Sequence, residues 1–404
     1  MKRVVITGMG ILSSIGNNEK NILNCLFNGI SGITFSKEMK NHKIRSHVWG
    51  NIKLNDYSFI DKKKIKFMNI ASIYSYLAMK KAISDSSLSK KIYQKNPEVG
   101  IIVGSGLGSP THLNAIFNKK KKILIDPYTI SRIQSSSLSS CLSTFFKIQG
   151  TSYSISSACT TSAHCIGHAF ELIQSGKQKI IFAGGGEEIT LESSLLFNSL
   201  RILSTKFNNF PKKASRPYDV NRDGFVISGG SGIIIVEELE HAIYRKAKIY
   251  AEIVGYGTTS DGSNMFLPSG KGSIKSMMLA MKNIQKLDID YINTHGTSTK
   301  IGDLKELKSI RKIFHYKNNS PFISSTKSIT GHSLGVSGVH EIIYSILMLK
   351  YNFIAPSINI EDLDPLAKNL NITKNTIEKK MNMIMSNTLG FGGTNVSLII
   401  KKYK

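Results

Sequence analysis

The 404-residue sequence contains only four cysteines, nine prolines and one tryptophan. The cysteines, at positions 25, 141, 159 and 165, show no paired spacing, so they predict free thiols in a reducing compartment rather than a disulfide framework. No run approaches the roughly 18 to 20 apolar residues that a membrane-spanning helix needs. The apolar run after the basic start stops at Gly8, which is too short for a signal peptide. These absences predict a soluble, cytoplasmic protein that does not insert into a membrane.

Acidic residues are also scarce: 27 Asp and Glu stand against 53 Lys and Arg, and the formal net charge is +26. Such a charge admits a nucleic acid, a membrane surface or an acidic protein as partner. Heavy use of Lys, Ile and Asn along the whole chain offers a second explanation, a biased base composition of the genome. Because zinc-ligand spacing, an RNA-binding signature and aromatic-basic alternation are all missing, we expect no nucleic-acid partner.

Short apolar runs that end in glycine or small polar residues alternate with stretches of helical periodicity, a pattern typical of layered α/β proteins. Strands are predicted at residues 4–7, 99–103, 153–156, 180–183, 233–237, 251–255, 291–294, 322–324, 383–387 and 396–400. Helices that are largely apolar, and therefore buried between layers, are predicted at 70–84, 161–175, 274–284, 304–314 and 336–350. A charged helical stretch at 237–248 divides the chain, and the similar order of elements on its two sides suggests an internal duplication.

Cys159 follows a β-prone run and a turn of small residues, and a helical stretch begins directly after it. The pattern places the thiol at a helix N-terminus, where unpaired N–H groups and the helix dipole favour the thiolate. We therefore predict a pKa below the usual value of about 8.5. A buried, inert cysteine is the alternative that this segment alone leaves open, since free cysteines are most often buried.

Two histidines lie in loops next to predicted strands and helices, where α/β proteins build their sites. His295 follows the strand at 291–294, and His332 precedes the helix at 336–350. Lys327 adds a cation near His332, and Glu341 lies on the helix. Each residue alone is compatible with a surface position. Together they suggest a site in which a thiolate holds an acyl group while neutral histidines donate hydrogen bonds to an enolate oxygen.

A glycine-rich loop at 390–393 lies between the last two predicted strands. Its glycines permit a backbone geometry that brings N–H groups close to a ligand, although an ordinary β-turn has the same composition. With this loop, four motifs stand in a fixed order: Ser-Ser-Ala-Cys159, Thr-His295-Gly-Thr-Ser-Thr, Lys327-Ser-Ile-Thr-Gly-His332-Ser-Leu-Gly and Gly-Phe391-Gly-Gly-Thr-Asn.

These motifs make the chain similar to the β-ketoacyl-[acyl-carrier-protein] synthases, condensing enzymes with a thiolase-like fold, from its first predicted strand to its last. The segments that begin at Ser156, Gly184 and Ala214 are most similar to the type I branch, which is linked to unsaturated fatty-acid formation in bacteria. The resemblance implies an α/β fold of five layers, αβαβα, built from two duplicated halves that each contain a mixed sheet. We place the halves at 1–246, with the nucleophile, and 247–404, with the two histidines.

The resemblance implies a decarboxylating condensation in fatty-acid elongation. Cys159 takes an acyl group from the phosphopantetheine thiol of acyl carrier protein, and the N–H groups of Cys159 and Phe391 form an oxyanion hole. Malonyl carrier then loses CO₂, and His295 and His332 hold its enolate oxygen while the carbanion attacks the acyl-Cys carbonyl. The product is 3-oxoacyl carrier protein.

Further roles follow from the same resemblance. Lys327 tunes the histidines and Glu341 orients Lys327, while the hydroxyls of Thr297 and Thr299 match positions that bind pantetheine. Phe391 is implied to gate the pocket mouth.

Two more residues, Phe197 and Leu107, correspond to the lining of the acyl tunnel. The type I branch usually has glycine where this chain has Leu107, and the type II branch has a bulky residue. A type II chain-length preference therefore stays an alternative.

The family implies a homodimer, with acyl carrier protein as the second partner. We expect Lys62, Lys63 and Lys66 to bind this acidic carrier. Neither a cofactor nor a catalytic metal is expected: Gly8-Met-Gly10 lacks the remainder of a dinucleotide fingerprint, and His164 and His168 lack a third metal ligand nearby.

Other enzymes of this fold fit the sequence less well. A biosynthetic thiolase needs a second cysteine in the C-terminal glycine loop, where this chain has Phe391. The initiating type III synthases have Asn at the position of His332. A non-catalytic chain-length subunit usually lacks the nucleophile, and Cys159 is present.

Overall fold

The computed structural model describes residues 1–54, 57, 58, 60–117, 126–314 and 320–403. The strands in this part of the chain are β1 (Val4–Leu12), β2 (Thr34–Phe35), β3 (Val48–Gly50), β4 (Val99–Gly104), β5 (Ser152–Ser154), β6 (Ile180–Glu187), β7 (Ile227–Ser228), β8 (Gly230–Glu238), β9 (Ala251–Ser260), β10 (Tyr291–Asn293), β11 (Phe322–Ser324), β12 (Phe353–Ile354), β13 (Asn371–Ile372), β14 (Ile377–Glu378), β15 (Met383–Gly390) and β16 (Thr394–Lys401).

The helices are α1 (Glu19–Asn28), α2 (Lys37–Asn41), α3 (Lys62–Ile65), α4 (Ile70–Asp85), α5 (Lys90–Tyr93), α6 (Pro110–Phe117), α7 (Thr129–Ile133), α8 (Ser137–Phe146), α9 (Thr161–Gln174), α10 (Leu191–Ser199), α11 (Leu239–Tyr244), α12 (Lys271–Ala280), α13 (Lys300–Phe314), α14 (Lys327–Thr330) and α15 (Ser337–Tyr351). Each of the ten predicted strands and five predicted helices coincides with one of these elements. Among the described helices, none is long and apolar enough to cross a membrane.

The main sheet repeats one topology twice. In the first half, β1 pairs antiparallel with β8, β8 antiparallel with β6, β6 parallel with β4, and β4 parallel with β5. In the second half, β9, β16, β15, β10 and β11 pair in the same order and the same directions, and β13 adds an outer strand. The internal duplication that the order of elements suggested is therefore visible in the strand pairing.

The two mixed sheets are joined rather than separate. Residues 4–6 of β1 pair with residues 251–253 of β9, so the strands form one sheet in the order β13-β11-β10-β15-β16-β9-β1-β8-β6-β4-β5. Because only three residue pairs join the two half-sheets, the half-sheets can diverge beyond this junction and enclose helices between them.

Helices lie on both sides of each half-sheet. α4 and α8 cover the outer face of the first half, α12 and α13 cover the outer face of the second, and α9 and α15 pack against each other between the two. These are the five layers predicted from the sequence, and the prediction is confirmed. Residues 337–349 of α15 are all buried, as their apolar pattern predicts for a central helix.

Gly8 and Gly10 have a packing role in β1. A Cβ atom at Gly10 would lie 2.0 Å from the Ala78 carbonyl oxygen of α4, and one at Gly8 would lie 2.7 Å from the Ala82 carbonyl oxygen. Glycine at these two positions lets the helix lie directly on the strand. Because β1 pairs with β8 as far as Leu12, the strand continues beyond its predicted end at residue 7.

The charged stretch at 237–248 is not one long helix, and that prediction is wrong. Glu237 lies in β8, one residue before its end, and its buried carboxylate accepts hydrogen bonds from Arg245 Nε at 2.7 Å and from Thr7 Oγ1 at 2.6 Å. Only Leu239–Tyr244 forms a helix, α11. The proposed division between residues 246 and 247 falls in the loop between α11 and β9.

Candidate active site

Cys159 lies in a tight turn between β5 and α9. Ala158 before it has a φ of 49°, in the left-handed region that non-glycine residues rarely adopt. The Thr160 hydroxyl donates to the Ser157 carbonyl at 2.6 Å, and the Thr161 hydroxyl donates to the Ala158 carbonyl at 2.8 Å. These two side chains stabilise the turn that directs Cys159 into a cavity.

Burial raises the pKa of the Cys159 thiol to about 12, although Lys327 and the backbone N–H groups of Phe391 and Cys159 oppose the rise. The predicted lowering of this pKa is therefore wrong. α9 begins two residues later, at Thr161. Although Cys159 keeps some contact with the cavity, the protein packed around the sulfur excludes the water that would solvate a thiolate.

His332 and His295 lie beside this thiol. His332 Nε2 is 3.1 Å from Cys159 Sγ, and the two imidazole rings are 5.1 Å apart and nearly perpendicular. Burial lowers the pKa of both histidines well below the usual value, and the positive charge of Lys327 lowers it further. Both rings are therefore neutral near pH 7, as predicted.

Backbone contacts hold each histidine in place. The N–H groups of His295 and Gly296 each donate to the Glu306 carboxylate at 2.8 Å. The His332 N–H donates to the Val226 carbonyl at 2.8 Å. Glu306 was not predicted as a site residue, although a glutamate on the buried face of a predicted helix is a recognisable signal.

Lys327 and Glu341 form a buried ion pair next to the histidines. Burial raises the pKa of Glu341 to about 7, although the charge of Lys327 lowers it. Lys327 and Glu341, which were predicted to act together, are therefore in contact although 14 positions separate them in the sequence.

Phe391 covers the nucleophile from the glycine-rich loop. Its ring lies 6.4 Å from that of Phe197 and 5.3 Å from that of Phe266. The Gly392 N–H donates to the Met265 carbonyl at 2.8 Å, which ties this loop to the exposed apolar segment that contains Phe266. This segment has no motif and was therefore not predicted to lie at the site.

The cavity has a volume of ≈ 320 Å³ and includes Cys159 and both histidines in its lining. Thr297 and Thr299 line it too, with their hydroxyl oxygens 3.1 Å apart. Seven of the predicted site residues thus line one cavity, with Phe197 and Phe391 among them, and the predicted pair of Lys327 and Glu341 lies beside it.

Leu107 is not among the lining residues. It packs into an apolar cluster that contains Phe197, Phe391 and Leu334. Its N–H donates to the buried Glu187 carboxylate at 3.2 Å, which also accepts from the Gly335 N–H at 3.0 Å. Glu187, which the sequence analysis missed, thereby ties the Leu107 loop to the loop that follows His332.

The three predicted carrier-binding lysines also lie outside the cavity lining. Lys62 and Lys63, on α3, are exposed. Lys66 is half-buried, since its Nζ donates to the Tyr128 hydroxyl at 3.0 Å and lies 4.4 Å from the ring centre. Lys62 and Lys63 are thus the more accessible two.

His164 and His168 have separate partners. The Nδ1 and Nε2 atoms of His164 lie 2.7 Å from the Ser157 hydroxyl and 2.8 Å from the Thr258 hydroxyl. His168 pairs with Glu171 at 3.3 Å. Both nitrogens of His164 are thus engaged by protein hydroxyls.

Comparison with known proteins agrees with this arrangement. The family models "Beta-ketoacyl synthase, N-terminal domain" and "Beta-ketoacyl synthase, C-terminal domain" match residues 1–242 and 250–361. A 3-oxoacyl-[acyl-carrier-protein] synthase 1 from Buchnera aphidicola subsp. Schizaphis graminum is 60% identical over 408 residues, and the one from Escherichia coli K12 is 55% identical over 408 residues; each match covers 100% of both chains.

Solved structures show the same relationship. A β-ketoacyl synthase from Burkholderia phymatum STM815 superposes with a TM-score of 0.94 at 30% identity, covering 100% of both chains. A type II polyketide ketosynthase in complex with its acyl-carrier protein superposes with a TM-score of 0.90 at 25% identity, also over 100% of both chains. The chain therefore belongs to the β-ketoacyl synthase family of condensing acyltransferases.

Proposed function

We propose that this chain is a 3-oxoacyl-[acyl-carrier-protein] synthase of type I. It condenses an acyl group and a malonyl group, each carried as a thioester on acyl carrier protein. The products are 3-oxoacyl-[acyl-carrier-protein], CO₂ and free carrier protein, and the elongation includes unsaturated chains. The observation that carries the proposal is the placement of Cys159 Sγ 3.1 Å from His332 Nε2, with His295 beside them in one cavity. The names of the two relatives described above support the substrate assignment.

In the first half-reaction, the Cys159 sulfur attacks the thioester carbonyl of the acyl carrier. Because burial keeps the thiol protonated, its proton must leave as the carbon–sulfur bond forms. The proton passes to the pantetheine sulfur as that sulfur departs, so the thioester exchange neither takes up nor releases a proton. The His332 ring lies beside the reacting sulfur, with Nε2 at 3.1 Å from Cys159 Sγ. The N–H groups of Cys159 and Phe391, which point at the sulfur, are placed to stabilise the oxyanion.

In the second half-reaction, malonyl carrier loses CO₂ and leaves an enolate. Neutral imidazoles can each donate one hydrogen bond, so His295 and His332 stabilise the enolate oxygen. The enolate carbon then attacks the acyl-Cys159 carbonyl and breaks its carbon–sulfur bond. The Cys159 thiolate that departs takes up one proton from solvent, which balances the carboxylate charge lost with CO₂. Burial and the charge of Lys327 keep both rings neutral, and Glu341 holds Lys327 in position.

The remaining residues bind the substrate. Thr297 and Thr299 hydrogen-bond the pantetheine arm within the cavity. Phe391 opens and closes the cavity at the glycine-rich loop. Phe197 lines the acyl tunnel, and Leu107, packed behind it, limits the length of the acyl chain. This mechanism uses no cofactor and no metal.

Carrier protein and a second copy of this chain are the proposed partners, and the cytoplasm is the proposed location. The exposed lysines Lys62 and Lys63 complement an acidic carrier, with Lys66 beside them. Support for a homodimer comes from the adjacent helices α6, α7 and α10, which expose apolar side chains that a partner would cover: Leu113, Ile130, Leu195, Leu196 and, directly after α10, Leu200.

Product analysis tests the proposed function. The purified chain is incubated with acyl-[acyl-carrier-protein] and malonyl-[acyl-carrier-protein]. The malonyl group is labelled in the free carboxylate that leaves as CO₂. We expect a 3-oxoacyl carrier that is two carbons longer, with one labelled CO₂ released per product. Release of CO₂ without a lengthened product, or a lengthened product from an unlabelled acetyl donor alone, contradicts the proposal.

A further inference from the structure

The two ring nitrogens of His332 have different partners. Nε2 faces Cys159 Sγ at 3.1 Å, whereas Nδ1 lies 2.9 Å from the Ser337 hydroxyl oxygen. A neutral imidazole carries one N–H, and the partner of one nitrogen decides which of the two holds the proton. Since His332 is neutral near pH 7, Ser337 is placed to decide whether Nε2 can donate a hydrogen bond.

Ser337 is free to donate its proton to Nδ1. It is the first residue of α15 and is 1% exposed. Apart from His332, its hydroxyl has one polar neighbour among the described residues, Ser333 Oγ, at the long distance of 3.5 Å. A hydroxyl that donates to Nδ1 leaves this nitrogen without a proton, and the N–H then lies on Nε2, toward the substrate.

Helix capping does not account for this serine. The residue before α15 is Val336, which has no side-chain capping bond, and Ser337 already lies inside the helix. The backbone of His332 is fixed independently, since its N–H donates to Val226 and its carbonyl accepts from the Ser228 N–H at 2.9 Å. Removing the Ser337 hydroxyl thus changes the proton position more than the fold.

His295 lacks such a partner. Its Nδ1 is buried without a hydrogen bond in the part of the chain that the structure describes. We infer that Ser337 is a positioning residue that holds the N–H of His332 on Nε2, so that the ring can donate to the enolate in the second half-reaction. This inference rests on the proposed function.

Separate measurement of the two half-reactions tests the inference. Ser337→Ala is compared with Ser345→Ala, a matched control in which another buried hydroxyl of α15 is removed. We expect Ser337→Ala to slow condensation by preloaded acyl-enzyme by about 10- to 100-fold, the effect of losing one buried hydrogen bond, while acylation of Cys159 changes less than about threefold. Ser345→Ala should change both rates less than about threefold.

Nitrogen-15 NMR of protein labelled at histidine reports which ring nitrogen of His332 carries the proton. A purely structural role of Ser337 would leave this proton position unchanged. We expect an unprotonated Nδ1 on His332, and in Ser337→Ala a shift of the proton toward Nδ1. Unchanged condensation in Ser337→Ala, an equal loss in both half-reactions, or a protonated Nδ1 in the unsubstituted protein overturns the inference. If the unsubstituted protein neither acylates nor condenses, the proposed function fails instead, and the NMR signal still decides the role of Ser337.

Discussion

Lys327 and Glu341 form an ion pair whose side chains are only 3% and 2% exposed. Removing one partner of a buried pair leaves the other charge without compensation, which typically costs about 3–5 kcal/mol. We expect Lys327→Met to lower the free energy of unfolding by about this amount, measured by denaturant titration, and Lys327→Met with Glu341→Leu to recover most of it. If the free energy of unfolding falls equally in the single and the double variant, an uncompensated Glu341 charge is not the cause of the destabilisation.

The same lysine sets the pH dependence of condensation. Burial and the charge of Lys327 lower the pKa of His295 and His332, so both rings stay neutral as the pH falls below the ordinary histidine value of about 6.5. We expect the rate of condensation by acyl-enzyme to fall only below that pH. In Lys327→Met the histidine pKa rises and the acid limb moves to higher pH. An acid limb that stays in place in pH–rate profiles would contradict the role of Lys327.

Leu107 is expected to limit acyl-chain length. It packs with Phe197 in one apolar cluster, so replacing it by glycine opens space beyond the tunnel lining. We expect Leu107→Gly to raise kcat/KM for long acyl carriers by about 10- to 200-fold relative to short ones, because a misfit of this size costs about 1–3 kcal/mol. Short-chain substrates serve as the internal control, and an unchanged long-to-short ratio would exclude Leu107 from chain-length selection.

The exposed apolar side chains of α6, α7 and α10 are expected to be the homodimer interface. Leu196 is 53% exposed and lies on α10. We expect Leu196→Asp to convert dimers into monomers in sedimentation experiments, since a charge buried in an interface must be desolvated. Tyr244→Asp is the matched control, because Tyr244 is 88% exposed on the separate helix α11. Dissociation by the control alone, or a monomeric parent protein, would contradict the proposed interface.

Sequence periodicity and motifs predicted the existence of the main strands better than the residues at which they end. The apolar runs predicted ten strands of the main sheet except for their ends. In β1, for example, Gly8 and Gly10 interrupt the apolar run and pack on α4, a tertiary contact that no local pattern reveals. The strands β2, β3, β7, β12, β13 and β14 have two or three residues each and were not predicted from the apolar pattern. Pairing between residues distant in sequence defines them.

The site shows the same difference between residue identity and environment. Motifs located Cys159, His295 and His332, but the pKa of the thiol depends on burial by segments distant in sequence. Glu306 and Glu187 were not predicted as site residues, because each carboxylate acts by accepting hydrogen bonds from backbone N–H groups of another loop. Charge alone did not show that Lys66 is engaged by Tyr128.

Identification of the acylated residue tests the central claim most directly. The protein is incubated with acyl carrier without malonyl carrier, and its peptides are analysed by mass spectrometry. We expect one acyl group on Cys159, its absence in Cys159→Ala, and unchanged acylation in Cys25→Ala, which removes another partly exposed cysteine. Acylation that persists in Cys159→Ala, or that occurs on another residue of the unsubstituted protein, would contradict the role of Cys159 as the nucleophile.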